Sequence, residues 1–301
     1  MVNQGQGLEF GAAERSNAES LIALAVAEDL GAAGDLTALA TIPADAPGRA
    51  RFVARSAGVL AGLPVLERLI AEFGLTEGWR PLLQDGDRLG PGTLIARIEG
   101  SMRALLAMER TALNFLQRLS GVATLTAAFV AEVQGTKAQI LDTRKTTPGW
   151  RTLEKYAVRC GGGRNHRIGL YDAVLIKDNH LAWLEGTGDP IGRAIASSRA
   201  NTPPGTVIEV EVDTLDQLDR ALSCGPDLIL VDNLGPDDLA EAVRRRNDRA
   251  PTIGLEASGG ITLSTVGGLA RTGVDRISVG ALTHSAPALD IGLDFEAEGL
   301  S

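Results

Sequence analysis

Six short apolar segments in the second half of the chain constrain its fold most. They are AQILDTRK (138–145), DAVLIKDN (172–179), TVIEVEVD (206–213), LILVDN (228–233), TIGLEASG (252–259) and RISVGA (276–281). Each runs into a polar cluster and then a stretch of helical character. The intervening helices carry recognisable ends. Thr214 precedes LDQLDRAL and Gly225 follows it, Pro236 opens the next helix, and Thr262 precedes LSTVGGLA. Repeated strand–helix units predict parallel strands, as a β/α barrel or a doubly wound sheet. In a barrel, the polar groups just past the strands share the C-terminal face, where chemistry is done. Arg144, Lys145, Lys177, Glu211, Asp232 and Ser258 would converge there.

The first half reads differently. Residues up to Asn17 are polar and Gly-rich and are expected to fray. Leu21, Ile22, Ala25 and Val26 recur at helical spacing, which predicts a helix over 18–30 stopped by Gly31. Between Arg49 and Glu99, β-like pieces alternate with a helix over 64–73, punctuated by Gly, Pro and Asp. A helical pattern covers 101–133, with a bend expected at SGVAT (120–124). The closing ALDIGLDFEAEG alternates like a strand and is expected to return to the first domain.

Charge is distributed unevenly. The chain of 301 residues has a formal net charge of -9, yet Thr143 to His180 gathers Arg144, Lys145, Arg167, Lys177 and two of the three histidines. Cations collected against the overall sign point to a pocket for a small polyanion bearing carboxylate or phosphate. The acidic balance argues against nucleic acid. No apolar run is long enough to span a bilayer, and MVNQGQGLEFGAAERSN lacks the basic start and apolar stretch of a secretory signal. Cys160 and Cys224 form no C-x-x-C pattern, so a reducing cytoplasm fits better than a disulfide framework or zinc site.

Individual residues leave alternatives open. Lys177 ends an apolar strand; it could pair with Asp178 or Glu211, or form a Schiff base. Glu209 and Glu211 alternate and so share a face, where inward carboxylates need a cation or metal. Ser258-Gly259-Gly260 and Ser278-Val279-Gly280 follow late strands; both are either tight turns or phosphate cradles of backbone N–H groups. Gly161 to Gly163 are either a helix stop or a ligand contact, and lack the spacing of a dinucleotide fingerprint or P-loop. His284 stands alone and reads as structural.

The motifs TRKT (143–146), GGGRNHRIGL (161–170) and LIKDNH (175–180) together resemble the quinolinate phosphoribosyltransferase family, the decarboxylating enzymes of NAD biosynthesis. AEDLGAAGDLT, ERTALNFLQRLSGVAT, EVEVD, LEASGGIT and SVGALTHS match the same pattern in the same order. The resemblance implies an α/β fold: an incomplete, seven-stranded type of β/α barrel with an N-terminal α+β sandwich domain. The implied domains are 18–120 with the segment 286–301 returning to it, and a barrel over 121–285. It further implies that quinolinate carboxylates meet Arg144 and Arg167, with Thr143, Lys145 and His166 lining the pocket and Arg110 supplied by a neighbouring subunit. Lys177 would bind the phosphoribosyl donor, Glu211 and Asp232 its ribose hydroxyls and Mg²⁺, and the loops at Ser258, Gly259, Gly260 and Ser278, Val279, Gly280 its 5-phosphate. Lys145, Lys177, Glu211 and Asp232 are the expected catalytic set. Asp142, Asp178, Asn179 and His180 would brace the site. No organic cofactor, nucleic acid or membrane is expected, and a homodimer, or a hexamer, is. Competing readings are a paralogue with another acceptor, a Schiff-base aldolase using Lys177, and a binding protein for small anions.

Overall fold

The fold comes from a computed structural model, which describes residues 8–186 and 188–296. The chain divides into two compact units. One comprises residues up to 127, 146–162 and 281 onward; the other comprises 128–145 and 163–280. This differs from the expected division. The helix Arg151–Cys160 and residues 281–285 belong to the first unit rather than the barrel. The boundary near 120 falls inside a continuous helix, Met102–Glu132.

In the first unit, β1 (Pro47–Ala54) is central and pairs antiparallel with both β5 (Leu94–Ser101) and β12 (Ile291–Phe295). β3 (Arg80–Pro81) adds to β5, and β2 (Gly58–Val59) pairs with β4 (Arg88–Leu89). Along PGRARFVA the first residues alternate exposed and buried, so Arg49 and Arg51 face out while Ala50 and Phe52 pack inward. Phe52 meets Trp79 edge-on at 5.9 Å. The chain's end therefore returns to this sheet, with Ala50 opposite Phe295 and Ala54 opposite Ile291.

Two local expectations are corrected here. The first helix starts at Ala12, not Ala18, so 12–17 are ordered as helix. Its opening turn is polar and gave no apolar signal. It is held instead by the Glu14 carboxylate, which accepts the Gly11 amide at 3.1 Å and pairs with Arg159 at 2.9 Å. Residues 1–7 lie outside the described residues. No bend occurs at SGVAT: the helix Met102–Glu132 runs through it. Gly121 marks a close approach rather than a break, since a Cβ there would lie 2.1 Å from the Pro287 carbonyl oxygen. The neighbouring hydroxyls bind the strand region beside them. Ser120 accepts the Ala61 amide at 3.0 Å and Thr124 accepts that of Val59 at 2.9 Å.

In the second unit all six predicted segments form parallel strands. They are β6 (Gln139–Leu141), β7 (Val174–Ile176), β8 (Ile208–Val212), β9 (Leu228–Asp232), β10 (Gly254–Ser258) and β11 (Arg276–Ser278), in the order β6-β11-β10-β9-β8-β7. Arg164 bridges Leu141 in parallel beyond β6, a one-residue seventh rung. Among the described residues the ring of strands thus runs in sequence order and is unpaired between that rung and β7. This is an incomplete β/α barrel. Ile208, Val210, Ile229, Leu255 and Ile277 are each fully buried, as strands covered on both faces require. The caps act as read: Thr214 accepts the Gln217 amide at 3.2 Å, and Gly225 closes its helix in the left-handed region at φ 66.

Candidate active site

The residues read as functional lie at the C-terminal ends of the barrel strands. Thr143, Arg144 and Lys145 follow β6, Lys177 follows β7, Glu211 lies in β8, Asp232 ends β9, and Ser258 ends β10. The strand register sets Asp232 beside Ser258. The next loops interlock: the Asn233 amide donates to the Ser258 carbonyl at 2.9 Å. Asn233 adopts φ 56, a left-handed conformation that Asn tolerates. A Cβ on Gly259 would sit 2.2 Å from the Asn233 amide oxygen, so this turn needs glycine.

Two guanidinium groups gather on one side. Burial lowers the Arg167 pKa, and the positive charge of Arg144 lowers it further; Glu209 and Asp172 oppose this. Arg167 is anchored by donation to the Ala173 carbonyl at 3.2 Å. The turn beneath it is shaped by Asp172, which accepts the Ile168 and Gly169 amides at 2.7 and 2.9 Å. Two partly buried cations that feel each other's charge suit a compact anion. Asp142, fully buried, braces this side by accepting the His166 amide at 2.8 Å and the Asn165 side chain at 2.6 Å. Thr143 accepts the Lys145 amide at 3.0 Å, and the Lys145 side chain is exposed.

On the other side a cavity of about 730 Å³ is lined by Glu211 and Asp232 together with Asp178, Asn179, Asp189 and Arg220. Lys177 forms an ion pair with Glu211. Its amide donates to His180 Nδ1 at 2.9 Å, which caps the helix Asp178–Trp183. The Lys177 side chain is 44 % exposed and salt-bridged, unlike the dry apolar pocket that activates a Schiff-base amine. Asp232 accepts from the Asn233 side chain at 2.7 Å. Glu211 and Asp232 offer hard oxygen donors on adjacent strands and suit a hard divalent cation.

Below this face lies a layer that sequence reasoning largely missed. Glu209, Glu256 and Arg276 point into the barrel interior with His166. His166 Nε2 lies 3.0 Å from Glu209 and 3.3 Å from Glu256, and Arg276 Nε lies 2.7 Å from the other Glu256 oxygen. Burial pushes Glu209 up, with Glu256 adding to it. Burial also acts on Glu256, but His166, Arg276 and Ser278 outweigh it and hold that carboxyl below its usual range. Burial alone would lower the His166 pKa; the two carboxylates overcome it and raise it to about 9. The Arg167 amide, donating to Nδ1 at 2.8 Å, opposes a second ring proton. Protonation of Nδ1 requires that amide to turn away, so this contact belongs to the neutral ring, which donates from Nε2 toward the carboxylates, and the raised pKa to its protonated alternative. The signal available in sequence was a charged residue two positions before a polar one in an apolar strand: Glu209/Glu211, Glu256/Ser258 and Arg276/Ser278.

Other expected residues are placed differently. Gly161 and Gly162 end the helix Arg151–Cys160, and a Cβ on Gly161 would lie 2.3 Å from the Ala123 carbonyl. The Val279 amide donates to the Leu141 carbonyl at 2.8 Å and Val279 is buried, so that amide is already committed. Arg110 is exposed on the helix Met102–Glu132 in the first unit. His284 bonds its neighbour Ser285 at 2.6 Å.

The chain matches the domain described as "Quinolinate phosphoribosyl transferase, N-terminal domain" over 35–120 and its "C-terminal domain" counterpart over 122–294. The chain belongs to the quinolinate phosphoribosyltransferase family. It is 47 % identical to the nicotinate-nucleotide pyrophosphorylase (carboxylating) of Mycobacterium leprae over 279 residues, 92 % of this chain and 96 % of that one. It is 44 % identical to the probable enzyme of that name from Bacillus subtilis, over 89 % of each chain. The structure of the nicotinate-nucleotide pyrophosphorylase from Francisella tularensis superposes with a TM-score of 0.87 at 36 % identity, covering 98 % of this chain and all of the other. No helix among the described residues is long and apolar enough to cross a membrane.

Proposed function

We propose that this member of the family converts quinolinate and phosphoribosyl pyrophosphate to nicotinate mononucleotide, pyrophosphate and CO₂. The observation that carries the reading is the gathering at one end of the barrel of cations suited to carboxylates, Arg144 and Lys145 past β6 and Lys177 past β7, with the acids Glu211 in β8 and Asp232 at the end of β9. Arg144 and Arg167 hold the acceptor's carboxylates, with Thr143, Lys145 and His166 around it. Lys177, Glu211 and Asp232 receive the donor, and the loop at Ser258–Gly260 together with Ser278 and Gly280 holds its 5-phosphate, the Val279 amide being committed to Leu141. Glu211 and Asp232 would also hold the magnesium ion that the donor carries in, which neutralises pyrophosphate charge.

The chemistry then needs little from the protein beyond position and charge. The bond between ribose C1 and pyrophosphate breaks as cationic character develops at C1, with Lys145 and Lys177 balancing the departing charge. The pyridine nitrogen bonds to C1. The 2-carboxylate leaves as CO₂, and its electron pair stays on the ring carbon beside the cationic nitrogen until a proton replaces it. The arginines must grip the retained 3-carboxylate, since overbinding the departing one would stabilise the ground state. A cytoplasmic enzyme working as at least a homodimer, with Arg110 reaching a neighbouring subunit's site, completes the proposal.

Calorimetric titration of quinolinate tests the carrying observation. Arg144→Ala and Arg167→Ala should each weaken binding by roughly ten- to a hundred-fold, the span of one lost charge-assisted contact. Unchanged affinity in either folded variant would remove the arginine pair from the site.

A further inference from the structure

Three members of the buried quartet beneath the site, Glu209, Glu256 and Arg276, have no role in the chemistry just derived, yet with His166 they touch both of its halves. β10 lies between β9 and β11, and its register sets Glu256 directly beside Arg276. Glu256 is fully buried and uses its two oxygens on two different partners: one lies 2.7 Å from Arg276 Nε, the other 3.3 Å from His166 Nε2. His166 immediately precedes Arg167, in the loop assigned to the acceptor's carboxylates. Arg276 stands two residues before Ser278, at the start of the loop assigned to the donor's phosphate.

We propose that Glu256 is a positioning residue that ties the acceptor loop to the donor-phosphate loop from beneath, through the ring of His166 and the guanidinium of Arg276. A carboxylate with no water contact must be matched by close cations, so the positions of those cations are tightly set. Glutamate is required on two counts. Glutamine spans the same distance but takes from Arg276 its directly paired carboxylate, and aspartate is one methylene too short to keep both contacts. Glu209, 3.0 Å from the same ring nitrogen, supports the His166 arm directly and reaches Arg276 only through its charge.

The inference rests on the assignment of these loops to quinolinate and phosphoribosyl pyrophosphate, and two readouts separate the two ideas. The variants are Glu256→Gln and, should loss of that pairing prevent folding, Glu256→Gln with Arg276→Met, which removes both buried charges. Steady-state kinetics should show KM raised at least tenfold for both substrates. Loss of thermal stability with both KM values unchanged would reduce Glu256 to a structural residue and overturn the proposal. The second readout needs no activity. The chain has three histidines, so the His166 ring is assigned in nitrogen-15 NMR by single His→Gln substitutions. In the unaltered protein its Nε2 should carry a fixed proton shifted by the carboxylates, and in the variants that signature should be lost. An unchanged His166 spectrum overturns the proposal even if the unaltered protein proved inactive on these substrates, a result that would count separately against the substrate assignment.

Discussion

Arg167 concentrates the residue-scale argument. Its guanidinium is half-buried beside Arg144, and a fixed turn built on Asp172 aims it. Arg167→Ala should lower kcat/KM by about a hundredfold or more while the protein remains folded, because a bidentate charge-assisted contact is lost. Wild-type turnover in a folded variant would contradict the assignment. His166 carries the pH dependence. Its pKa rises from the ordinary 6.5 to about 9, so its stabilisation is complete below about pH 6.5 and fades as pH climbs through 9. Denaturant midpoints should fall across that window, and His166→Gln should flatten the fall; parallel curves for the two proteins would count against a charged ring. Arg144 and Lys177 stood out in sequence as polar groups ending apolar strands, whereas Arg167, in the loop GGGRNHRIGL, was marked by the clustering of cations and by the resemblance. Glu256 and Arg276 were not, because a charge inside a strand has a partner only once the strands are laid side by side.

At the scale of elements, the long helix Met102–Glu132 shows how packing overrides a local signal. Ser-Gly in a helical run reads as a bend, yet Gly121 is there so that the Pro287 carbonyl can lie against the helix. Alanine favours a helix interior by about 1 kcal/mol over glycine. Here the overlap at 2.1 Å should reverse the sign, so Gly121→Ala should destabilise by roughly 1–3 kcal/mol in urea unfolding. A more stable variant would show that the chain near 287 packs elsewhere. The six barrel strands were legible from their spacing and turn chemistry. The start of the first helix was not, since Glu14 acts there through Gly11 and the distant Arg159 rather than through an apolar stripe.

For the whole molecule, the return of the C-terminus matters most. β12 covers one edge of β1, and the preceding turn is pinned where Gln117 donates to the Ile291 carbonyl at 2.6 Å and its carbonyl accepts from Leu289 at 2.9 Å. Ending the chain at Ser285 should expose that edge and sharply lower the melting temperature or abolish soluble expression. Unchanged melting would mean that the first unit does not depend on the returning strand. The proposed subunit-bridging role of Arg110 predicts an oligomer at assay concentration, and a fully active monomer by light scattering would contradict it.

The central claim is the reaction itself. The most direct test supplies purified protein with quinolinate, phosphoribosyl pyrophosphate and magnesium, and follows CO₂ and nicotinate mononucleotide together, with nicotinate as a parallel acceptor. The account predicts the two products in equal amounts from quinolinate and none from nicotinate. Mononucleotide formed from nicotinate, or no turnover of quinolinate by the folded protein, would contradict it.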